Sequence, residues 1–327
     1  MRFVRNGIAA LLCLLFQPAL SSFAQAQTYP ARTIKLIAPL GAGGPTDILA
    51  RMIAKELETA WGQTVIVENR PGASGNTGVG FVATTEPDGY TLVLTAFGAL
   101  TINVSLYGNL TYDPTKDLTP ITLVAQIPQL VAVPKDSPVT NMKELVEFIR
   151  AKPEGVNYGS PGAGTLNHLS SERFRLLNNL KMTHVPYRGD PQTIEGLLRG
   201  DVQVLFGNMS STMPVYKADK VKGLAVTGAS RWPAVSELPT MTEAGIPGFE
   251  RMAWFAVMGP AGIPRDVQTK LNGEIRRILA NPDISNRITG LGMQVSTSTP
   301  EELGARIKTE IPFYGEVVKS SGAKVQQ

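Results

Sequence analysis

The sequence predicts an α/β protein with mainly parallel β-sheets. Short apolar runs of strand length alternate along the chain with stretches in which apolar residues recur at helical spacing. Strands separated by helices of this length form βαβ units, and such units build parallel sheets. The chain has 327 residues and is 43% hydrophobic. It is therefore long enough for two domains of this class, each with its own core.

The N-terminal segment is predicted to be an export signal rather than part of the fold. Two arginines precede an apolar run at residues 8–16, which is too short to span a bilayer. Small residues then mark a cleavage point after Ala26, so residues 1–26 are the predicted signal peptide. An uncleaved membrane anchor is the alternative. Cleavage removes the single cysteine, Cys13, and a cysteine-free product suits the oxidising bacterial periplasm.

The first elements after the signal show the pattern from which the others are predicted. Residues 33–38 form a short apolar run, which predicts a strand, and residues 47–60 carry apolar side chains on one helical stripe. Pro312 is expected to stop or kink the last helix near Ile311. By the same criteria, the further predicted strands are residues 64–67, 91–95, 121–125, 130–133, 183–187, 202–206, 223–227 and 254–258, and the further predicted helices are residues 142–151, 166–177, 193–199, 267–280 and 300–311.

Composition excludes several classes of function. The formal net charge is +4, and acidic residues lie between the basic ones along the chain, which predicts no nucleic-acid partner. One cysteine and two histidines argue against a structural zinc site, an iron–sulfur cluster, a disulfide scaffold and cysteine catalysis. We therefore expect no metal and no cofactor.

Three glycine-rich segments lie where a predicted strand leads towards a helix. They are PLGAGGPTD at residues 39–47, NRPGASGNTG at residues 69–78 and YGSPGAGT at residues 158–165. Glycine lets the backbone approach a ligand closely, and the N–H groups of a helix N-terminus attract an anion. One such loop is most simply a tight turn. Three of them in one α/β chain indicate a ligand site at the carboxyl ends of the strands.

These loops predict a small carboxylate rather than a nucleotide as the ligand. Residues 39–47 contain neither the lysine of a phosphate-binding P-loop nor the spacing GxGxxG. Backbone N–H groups and small polar side chains suit a carboxylate group. The polar or helix-capping residues of the three loops are Thr46, Asp47, Ser74, Asn76, Ser160 and Thr165.

Side chains beside two other predicted strand ends are further candidates. Arg188 follows a strand and is positioned to pair with a carboxylate, although a surface ion pair with Asp190 explains it equally well. Phe97 follows the strand that ends at Thr95 and is a candidate for an apolar pocket wall, although a buried loop aromatic is the simpler interpretation. We include Thr95, Phe97 and Arg188 in the predicted site.

A periplasmic serine hydrolase is the alternative from a different class of function. It would use Ser160 as the nucleophile and His168 as the base. However, the sequence GSPG around Ser160 is not the nucleophile elbow GxSxG. His168 follows a helix cap and His184 lies in an apolar strand, so packed or capping histidines are the simpler interpretation. The sequence therefore predicts binding and no enzymatic activity.

Several motifs in a fixed order make the chain resemble a known family. They run through nearly the whole mature length: YPAR at 29–32, the loop at 39–47, VENRPGA at 67–73, PDGYTL at 87–92, YGSPGAGTLNHL at 158–169, VPYRG at 185–189, LAVT at 224–227, LPT at 238–240 and PAG at 260–262. The sequence resembles the Bordetella-uptake-gene (Bug) type of extracytoplasmic solute receptors. These are the substrate-binding proteins of tripartite tricarboxylate transporters.

The resemblance implies a two-lobed periplasmic binding fold of type II, the Venus-flytrap kind, whose cleft closes on a small organic carboxylate. We expect lobe one to comprise residues 27–126 and 227–327, and lobe two residues 127–226, with two crossings between them as the hinge. Members of the family are similar in holding one carboxylate group mostly with backbone groups. The matching positions here are Ala42, Gly43, Gly44, Thr46, Ser74 and Asn76 in lobe one and Ser160, Gly164, Thr165 and Asn208 in lobe two.

The implied function is ligand capture for uptake. We expect a monomeric periplasmic receptor that binds a mono-, di- or tricarboxylate, aromatic acids included, and delivers it to membrane permease subunits. A receptor that signals to a membrane sensor is the alternative. The sequence departs from the family's usual residues at Pro45, Asp190 and Ile194 and at residues 206–208. The resemblance therefore does not assign the residues at the far end of the pocket.

Overall fold

The computed structural model describes residues 29–250 and 252–323, so the predicted signal peptide lies outside the described residues. All elements named below belong to the unit that begins at Arg32. The strands are β1 (Ile34–Ala38), β2 (Val65–Asn69), β3 (Thr91–Ala96), β4 (Leu118–Ile127), β5 (Gln129–Pro134), β6 (Val156–Ser160), β7 (Met182–Pro186), β8 (Val204–Asn208), β9 (Val221–Val226), β10 (Ala253–Pro260) and β11 (Gln294–Val295). The helices are α1 (Pro45–Trp61), α2 (Asn76–Ala83), α3 (Phe97–Leu100), α4 (Ile102–Leu106), α5 (Met142–Arg150), α6 (Leu166–Leu177), α7 (Asp190–Arg199), α8 (Met209–Lys217), α9 (Arg265–Leu279), α10 (Pro282–Gly290) and α11 (Pro300–Ser321).

The strands form two sheets. The first has the strand order β11-β4-β10-β3-β1-β2, and its parallel part consists of β2, β1 and β3. The second has the order β7-β6-β8-β5-β9, and its parallel part consists of β7, β6 and β8. Each parallel part is built from strand–helix–strand units, as the alternation of apolar runs predicts. The prediction of an α/β fold with two sheets is confirmed.

The sheets are mixed, because antiparallel strands accompany the parallel part of each one. In the first sheet β10 runs antiparallel to β3 and β4, and in the second β5 runs antiparallel to β8 and β9. These strands flank the two places where the chain crosses between the sheets: Pro128, and residues 227–252. Strand direction is set by such long-range connections, and apolar periodicity carries no information about it.

The last helix, α11, continues through Pro312 and ends at Ser321. The expectation that it stops near Ile311 is therefore wrong. Proline removes one helical N–H and crowds the preceding turn. Beyond it, however, Tyr314, Val317 and Val318 are buried in the core beside the first sheet. Burial of these side chains offsets the local cost, because each contributes about 1.5–3 kcal/mol when removed from water.

The helices that sequence periodicity misses are short or contain glycine or proline. They are α2, α3, α4, α8 and α10. The two glycines of α2 allow close packing: a Cβ at Gly78 would lie 2.9 Å from the Cα of Pro39, and one at Gly80 would lie 2.6 Å from Thr111 Oγ1. No helix in the described part of the chain combines the length and the apolar character needed to cross a membrane.

Candidate functional site

A cavity of about 460 Å³ lies where loops from both sheets meet. Thr46 reaches it from the start of α1, Phe97 from the end of β3, and Thr165 from the start of α6. Ligands bind at this carboxyl edge in open parallel sheets, and the volume is that of a small-molecule site. The other lining residues are Leu40, Pro45, Ser74, Ala96, Gly98, Ile102, Asn103, Leu106, Ile127, Pro161, Ala163, Gly164, Leu166, Asn167, Gly189, Asp190, Asn208, Ser210, Ala253 and Phe255.

Thr46 supplies a polar group that lacks a partner. Its residue is 1% exposed, and its Oγ1 has no hydrogen bond within the described part of the chain. Buried hydroxyls are nearly always paired, so an unpaired one in a cavity wall indicates an external partner. Thr46 lies in the first turn of α1, where N–H groups lack intrahelical acceptors and the helix dipole favours negative charge. This corner of the cavity suits an anionic oxygen.

Asp47 holds the β1–α1 loop and does not line the cavity. Its Oδ2 accepts the Gly43 N–H at 2.9 Å, its Oδ1 accepts Asn69 Nδ2 at 2.9 Å, and Arg51 pairs with it at 3.0 Å. Burial disfavours the charged carboxylate, but the hydrogen bonds from Arg51, Gly43 and Asn69 outweigh it and lower the pKa of Asp47 to about 2. Asp47 thus acts on the ligand site by fixing the loop that presents Thr46.

The glycine turn of this loop also lies outside the cavity lining. Ala42, Gly43 and Gly44 were predicted to touch the ligand, yet none of them lines the cavity. Gly43 has φ +80°, a backbone conformation that favours glycine, and a Cβ placed there would meet nothing within 4 Å. The turn therefore needs glycine at this position for its backbone shape rather than for space.

Ser74 lines the cavity, and Asn76 anchors the segment that carries it. Ser74 Oγ accepts a hydrogen bond from the hydroxyl of Tyr107 at 2.9 Å. The buried Asn76 Oδ1 accepts from Asn103 Nδ2 at 2.7 Å and from the Tyr112 hydroxyl at 3.0 Å. Asn103 itself lines the cavity and was missed from the sequence, because it lies in a short helix with no turn signal of its own.

Phe97 forms an apolar wall of the cavity. Its ring centroid lies 5.9 Å from that of Trp254 and 5.5 Å from that of Tyr314, so neighbouring aromatic rings fix its position. Thr95 is buried two residues earlier, in β3, where its Oγ1 donates to the Ala96 carbonyl at 3.3 Å. Thr95 does not line the cavity.

The β6–α6 loop contributes Gly164 and Thr165. The Gly164 N–H donates to His168 Nδ1 at 3.0 Å, and Thr165 Oγ1 donates to the Gly162 carbonyl at 2.7 Å. Gly164 has φ +76°, and a Cβ placed on it would lie 2.3 Å from Leu106 Cδ2. Leu106 belongs to α4, beside the first sheet, whereas Gly164 follows a strand of the second sheet. The loop at Gly164 therefore packs so closely against α4 that no side chain fits there.

Ser160, His168 and the half-buried His184 form a column that supports this loop. Ser160 is fully buried, and its Oγ lies 2.7 Å from His184 Nε2. The rings of His184 and His168 stack with centroids 4.0 Å apart, and Tyr158 stacks 5.1 Å from His184. Burial lowers the pKa of both histidines, and the charge of His168 adds to it at His184, where the pKa falls to about 4.

This arrangement contradicts the details of the hydrolase alternative. The histidine bonded to Ser160 is His184, whereas the alternative required His168. His168 Nδ1 instead accepts the Gly164 N–H, which requires that nitrogen to be unprotonated. Ser160 does not line the cavity, so its hydroxyl is not presented to a molecule bound there. Hydrogen bonds of this column, from Ser160 Oγ to the Gly162 carbonyl and from the Gly164 N–H to His168 Nδ1, support the β6–α6 loop.

The part of the cavity lining that lies beside the second sheet contains one charged side chain, that of Asp190. Asp190 begins α7, and its Oδ2 accepts hydrogen bonds from Asn208 Nδ2 and Ser211 Oγ, both at 2.9 Å. Arg188 is exposed, does not line the cavity and forms no ion pair with Asp190. Its backbone N–H donates to Gln192 Oε1 at 3.1 Å. The structure thus supports neither of the two interactions considered for Arg188, which were a contact with the ligand carboxylate and an ion pair with Asp190.

The cavity brings together part of the predicted site. The lining includes Thr46, Ser74, Phe97, Gly164, Thr165 and Asn208 and leaves out Ala42, Gly43, Gly44, Asp47, Asn76, Thr95, Ser160 and Arg188. Lining residues absent from the predicted site include Asn103, Asn167, Asp190, Ser210 and Phe255. Asp190 and Ser210 lie near helix N-termini that follow strands, and that position is a signal that sequence analysis can use.

Comparison with known proteins gives a consistent answer. A sequence model described as "Tripartite tricarboxylate transporter family receptor" matches residues 49–322. The solved structure titled "R. palustris Rpa4515 with adipate" is 34% identical, covers 91% of this chain and 100% of its own, and has a TM-score of 0.78. "MatC (Rpa3494) from Rhodopseudomonas palustris with bound malate" is 31% identical, covers 89% and 100%, and has a TM-score of 0.74. The periplasmic binding protein BugD is 34% identical, covers 91% and 100%, and has a TM-score of 0.74.

Proposed function

The chain belongs to the family of tripartite tricarboxylate transporter receptors, and we propose that it captures a small organic carboxylate in the cavity between its two sheets. The observation that carries this proposal is the buried, unpartnered hydroxyl of Thr46 at the N-terminus of α1, a residue that lines a cavity to which both sheets contribute. The adipate and malate in the titles of two similar structures support the ligand class.

The geometry favours capture by closure of two lobes. We assign residues 27–126 and 227–327 to lobe one and residues 127–226 to lobe two, with Pro128 and the segment after β9 as the crossings. A carboxylate that meets α1 from one lobe and Thr165 at α6 from the other binds the closed arrangement more tightly than the open one. It therefore shifts the equilibrium towards closure. Closure also removes water and strengthens each charge-assisted hydrogen bond.

We further propose that the receptor acts in the periplasm as a monomer and hands its ligand unchanged to permease subunits. Two findings support the location: the similarity to the periplasmic binding protein BugD and the predicted signal peptide. The burial of Ser160, away from the cavity lining, supports binding without chemical conversion. Size-exclusion chromatography with light scattering tests the monomer, and the mass of recovered ligand tests the absence of turnover.

A thermal-shift titration of the mature chain tests ligand capture. Adipate, malate, hexanoate, citrate and 6-aminohexanoate serve as probes, with glucose as an uncharged control. Because a ligand that binds only the folded state stabilises it, the melting temperature is expected to rise with the concentration of at least one acid and to stay constant with glucose. An unchanged melting temperature with every acid at concentrations up to about 10 mM, where a ligand with a Kd of about 0.1 mM would add about 2.7 kcal/mol of stability, would refute the proposal.

The substitution Thr46→Val tests the carrying observation directly. Valine keeps the shape but removes the hydroxyl, so we expect affinity for a bound carboxylate to fall about tenfold, which is one hydrogen bond to a charged group. The free energy of unfolding without ligand should stay equal or rise, because an unpaired buried hydroxyl is removed.

Thr212→Val is the matched control for this variant. Thr212 Oγ1 is likewise buried without a partner among the described residues, but Thr212 does not line the cavity. Its variant should match Thr46→Val in stability and retain wild-type affinity in calorimetric titration. Equal losses of affinity in both variants would mean that the Thr46 hydroxyl does not contact the ligand.

A further inference from the structure

The charge of the cavity points to the chemistry of the ligand's second end. This step rests on the proposed function. We infer that the ligand is an amino-carboxylate with an apolar body: a carboxylate at the α1 end and a cationic hydrogen-bond donor, such as an ammonium, at Asp190. A dicarboxylate is then the wrong partner for this cavity, although similar proteins are titled with adipate and malate.

The first step is the balance of charge in the lining. Among the described residues that line the cavity, Asp190 is the one with an ionisable side chain, and neither lysine, arginine nor histidine occurs there. A single carboxylate group is satisfied at a helix N-terminus by N–H groups and the Thr46 hydroxyl. A second carboxylate group would meet no cation. It would share a cavity of about 460 Å³ with the carboxylate of Asp190, and like charges repel.

The second step is the unused capacity of Asp190. Both hydrogen bonds to its side chain, from Asn208 and Ser211, go to Oδ2. Oδ1 accepts none within the described part of the chain, and Asp190 forms no ion pair there. Asn208 Nδ2 and Ser211 Oγ fix the orientation of the carboxylate without neutralising it. A carboxylate oxygen with lone pairs to spare in a cavity wall recognises a donor, most strongly a charged one.

The third step is the surface between the two ends. Apolar side chains form much of the cavity lining, among them Phe97, Ile102, Leu106 and Phe255. Such a surface stabilises methylene groups or an aromatic ring of the ligand by the hydrophobic effect. The walls therefore favour an unbranched or aromatic spacer between the carboxylate and the cation.

Three probes of equal chain length separate the possibilities. 6-Aminohexanoate carries a carboxylate and an ammonium, adipate carries two carboxylates, and hexanoate carries one carboxylate and a methyl end. Calorimetric titration of the mature wild-type protein is expected to show 6-aminohexanoate binding about tenfold or more tightly than either of the others, the ratio given by one hydrogen bond between charged groups. Adipate binding as tightly as 6-aminohexanoate, or more tightly, would overturn the inference.

Asp190→Asn tests the residue. The amide still accepts hydrogen bonds through one oxygen but carries no charge. We expect the affinity for 6-aminohexanoate to fall about tenfold and that for adipate to rise, since repulsion is removed. Glu195→Gln is the control, because Glu195 is an exposed acid on the same helix, 3.7 Å from Arg199, and outside the lining. An unchanged preference between the two probes in Asp190→Asn would also overturn the inference.

The probes distinguish failure of this inference from failure of the proposed function. Binding of adipate without binding of 6-aminohexanoate leaves carboxylate capture standing and removes the assignment of the second end. No binding of any of the three acids, nor of malate, removes carboxylate capture and with it this inference. The wild-type comparison needs no variant, so misfolding of Asp190→Asn would not protect the inference from refutation.

Discussion

The β1–α1 loop and the β6–α6 loop both lead from a strand into a helix at the cavity, yet different groups hold them. Asp47 holds the first through charged hydrogen bonds to the Gly43 N–H and to Arg51. The neutral ring of His168 holds the second by accepting the Gly164 N–H, within a stack of histidines. Two turns with similar glycine-rich sequences therefore depend on opposite protonation chemistry: one needs a charged group and the other needs an uncharged one.

The difference also separates two routes by which a residue acts on a ligand. Asp47 and His168 lie outside the cavity lining, whereas Thr46 and Thr165 line it. In each loop a buried titratable group fixes the backbone while a neighbouring threonine faces the cavity. Changes at the buried groups should therefore alter stability and binding together, whereas removal of the unpaired Thr46 hydroxyl should weaken binding without loss of stability.

Removal of the charged support should have the largest effect. In Asp47→Ala the Gly43 N–H, Asn69 and Arg51 lose their acceptor, and we expect a loss of about 3 kcal/mol of unfolding free energy together with carboxylate binding. Urea unfolding and calorimetric titration measure the two losses. Glu58→Ala, an exposed acid on the same helix, should change stability by no more than about 0.5 kcal/mol. Similar stability of both variants would show that Asp47 does not hold the loop.

The two glycines with positive φ offer a comparison of intermediate size. Gly43→Ala introduces a left-handed alanine into open space and should cost about 1 kcal/mol of stability. Gly164→Ala adds the displacement of Leu106, and we expect about 1–2 kcal/mol more, together with weaker ligand binding because the cavity halves are held apart. Urea unfolding and calorimetry of both variants are the measurement. Equal effects of the two substitutions would mean that the contact between Gly164 and Leu106 does not constrain the cavity.

Acid should loosen the two loops in separate pH ranges. The folded-state pKa of His184 is about 4, below the ordinary histidine value of 6.5, so protons bind preferentially to the unfolded chain. Stability is full above pH 6.5 and should fall by about 1–2 kcal/mol, discounted for the partial exposure of His184, as the pH drops to about 4. The pKa of Asp47 is lowered from 3.8 to about 2, so Asp47 loses its contribution to stability only as the pH falls from about 3.8 to about 2.

Urea midpoints at pH 7, 5.5 and 4.5 test this order. The variant His184→Gln keeps a polar partner for Ser160 but does not titrate, and its midpoint should fall less over the same range. A wild-type curve that is flat between pH 7 and 4.5, or a variant curve as steep as that of the wild type, would contradict the assignment of the acid sensitivity to the histidine column.

Sequence patterns predicted much of this molecule because they report local physics. The helix α6 was predicted at residues 166–177, where it lies, since Thr165 caps a stretch of apolar residues at helical spacing. The family resemblance was confirmed by the match to residues 49–322. Helix α11 was predicted too short, because the burial of Tyr314 and Val318 beyond Pro312 is a tertiary effect that a local rule about proline does not contain.

The candidate site divides in the same way. Thr46, Ser74 and Thr165 line the cavity and were predicted from small polar residues at glycine turns. Asp47 and Ser160 belong to the same turns, but the fold directs them to Arg51 and His184. Asn103 reaches the cavity from a short helix that shows no periodicity. Loop membership was readable from the sequence, whereas the direction of each side chain was not.

By itself the sequence determined the α/β class, the two sets of strands and helices, the turns at the helix N-termini and the family, because spacing of apolar residues, caps and glycines act over a few residues. Only the tertiary structure decided strand direction, the course of α11, and which member of each loop faces the cavity. Those features depend on contacts between distant segments, as when Leu106 meets Gly164 or Asp190 meets Asn208. No local pattern encodes such a meeting, since it follows from how the two sheets are connected.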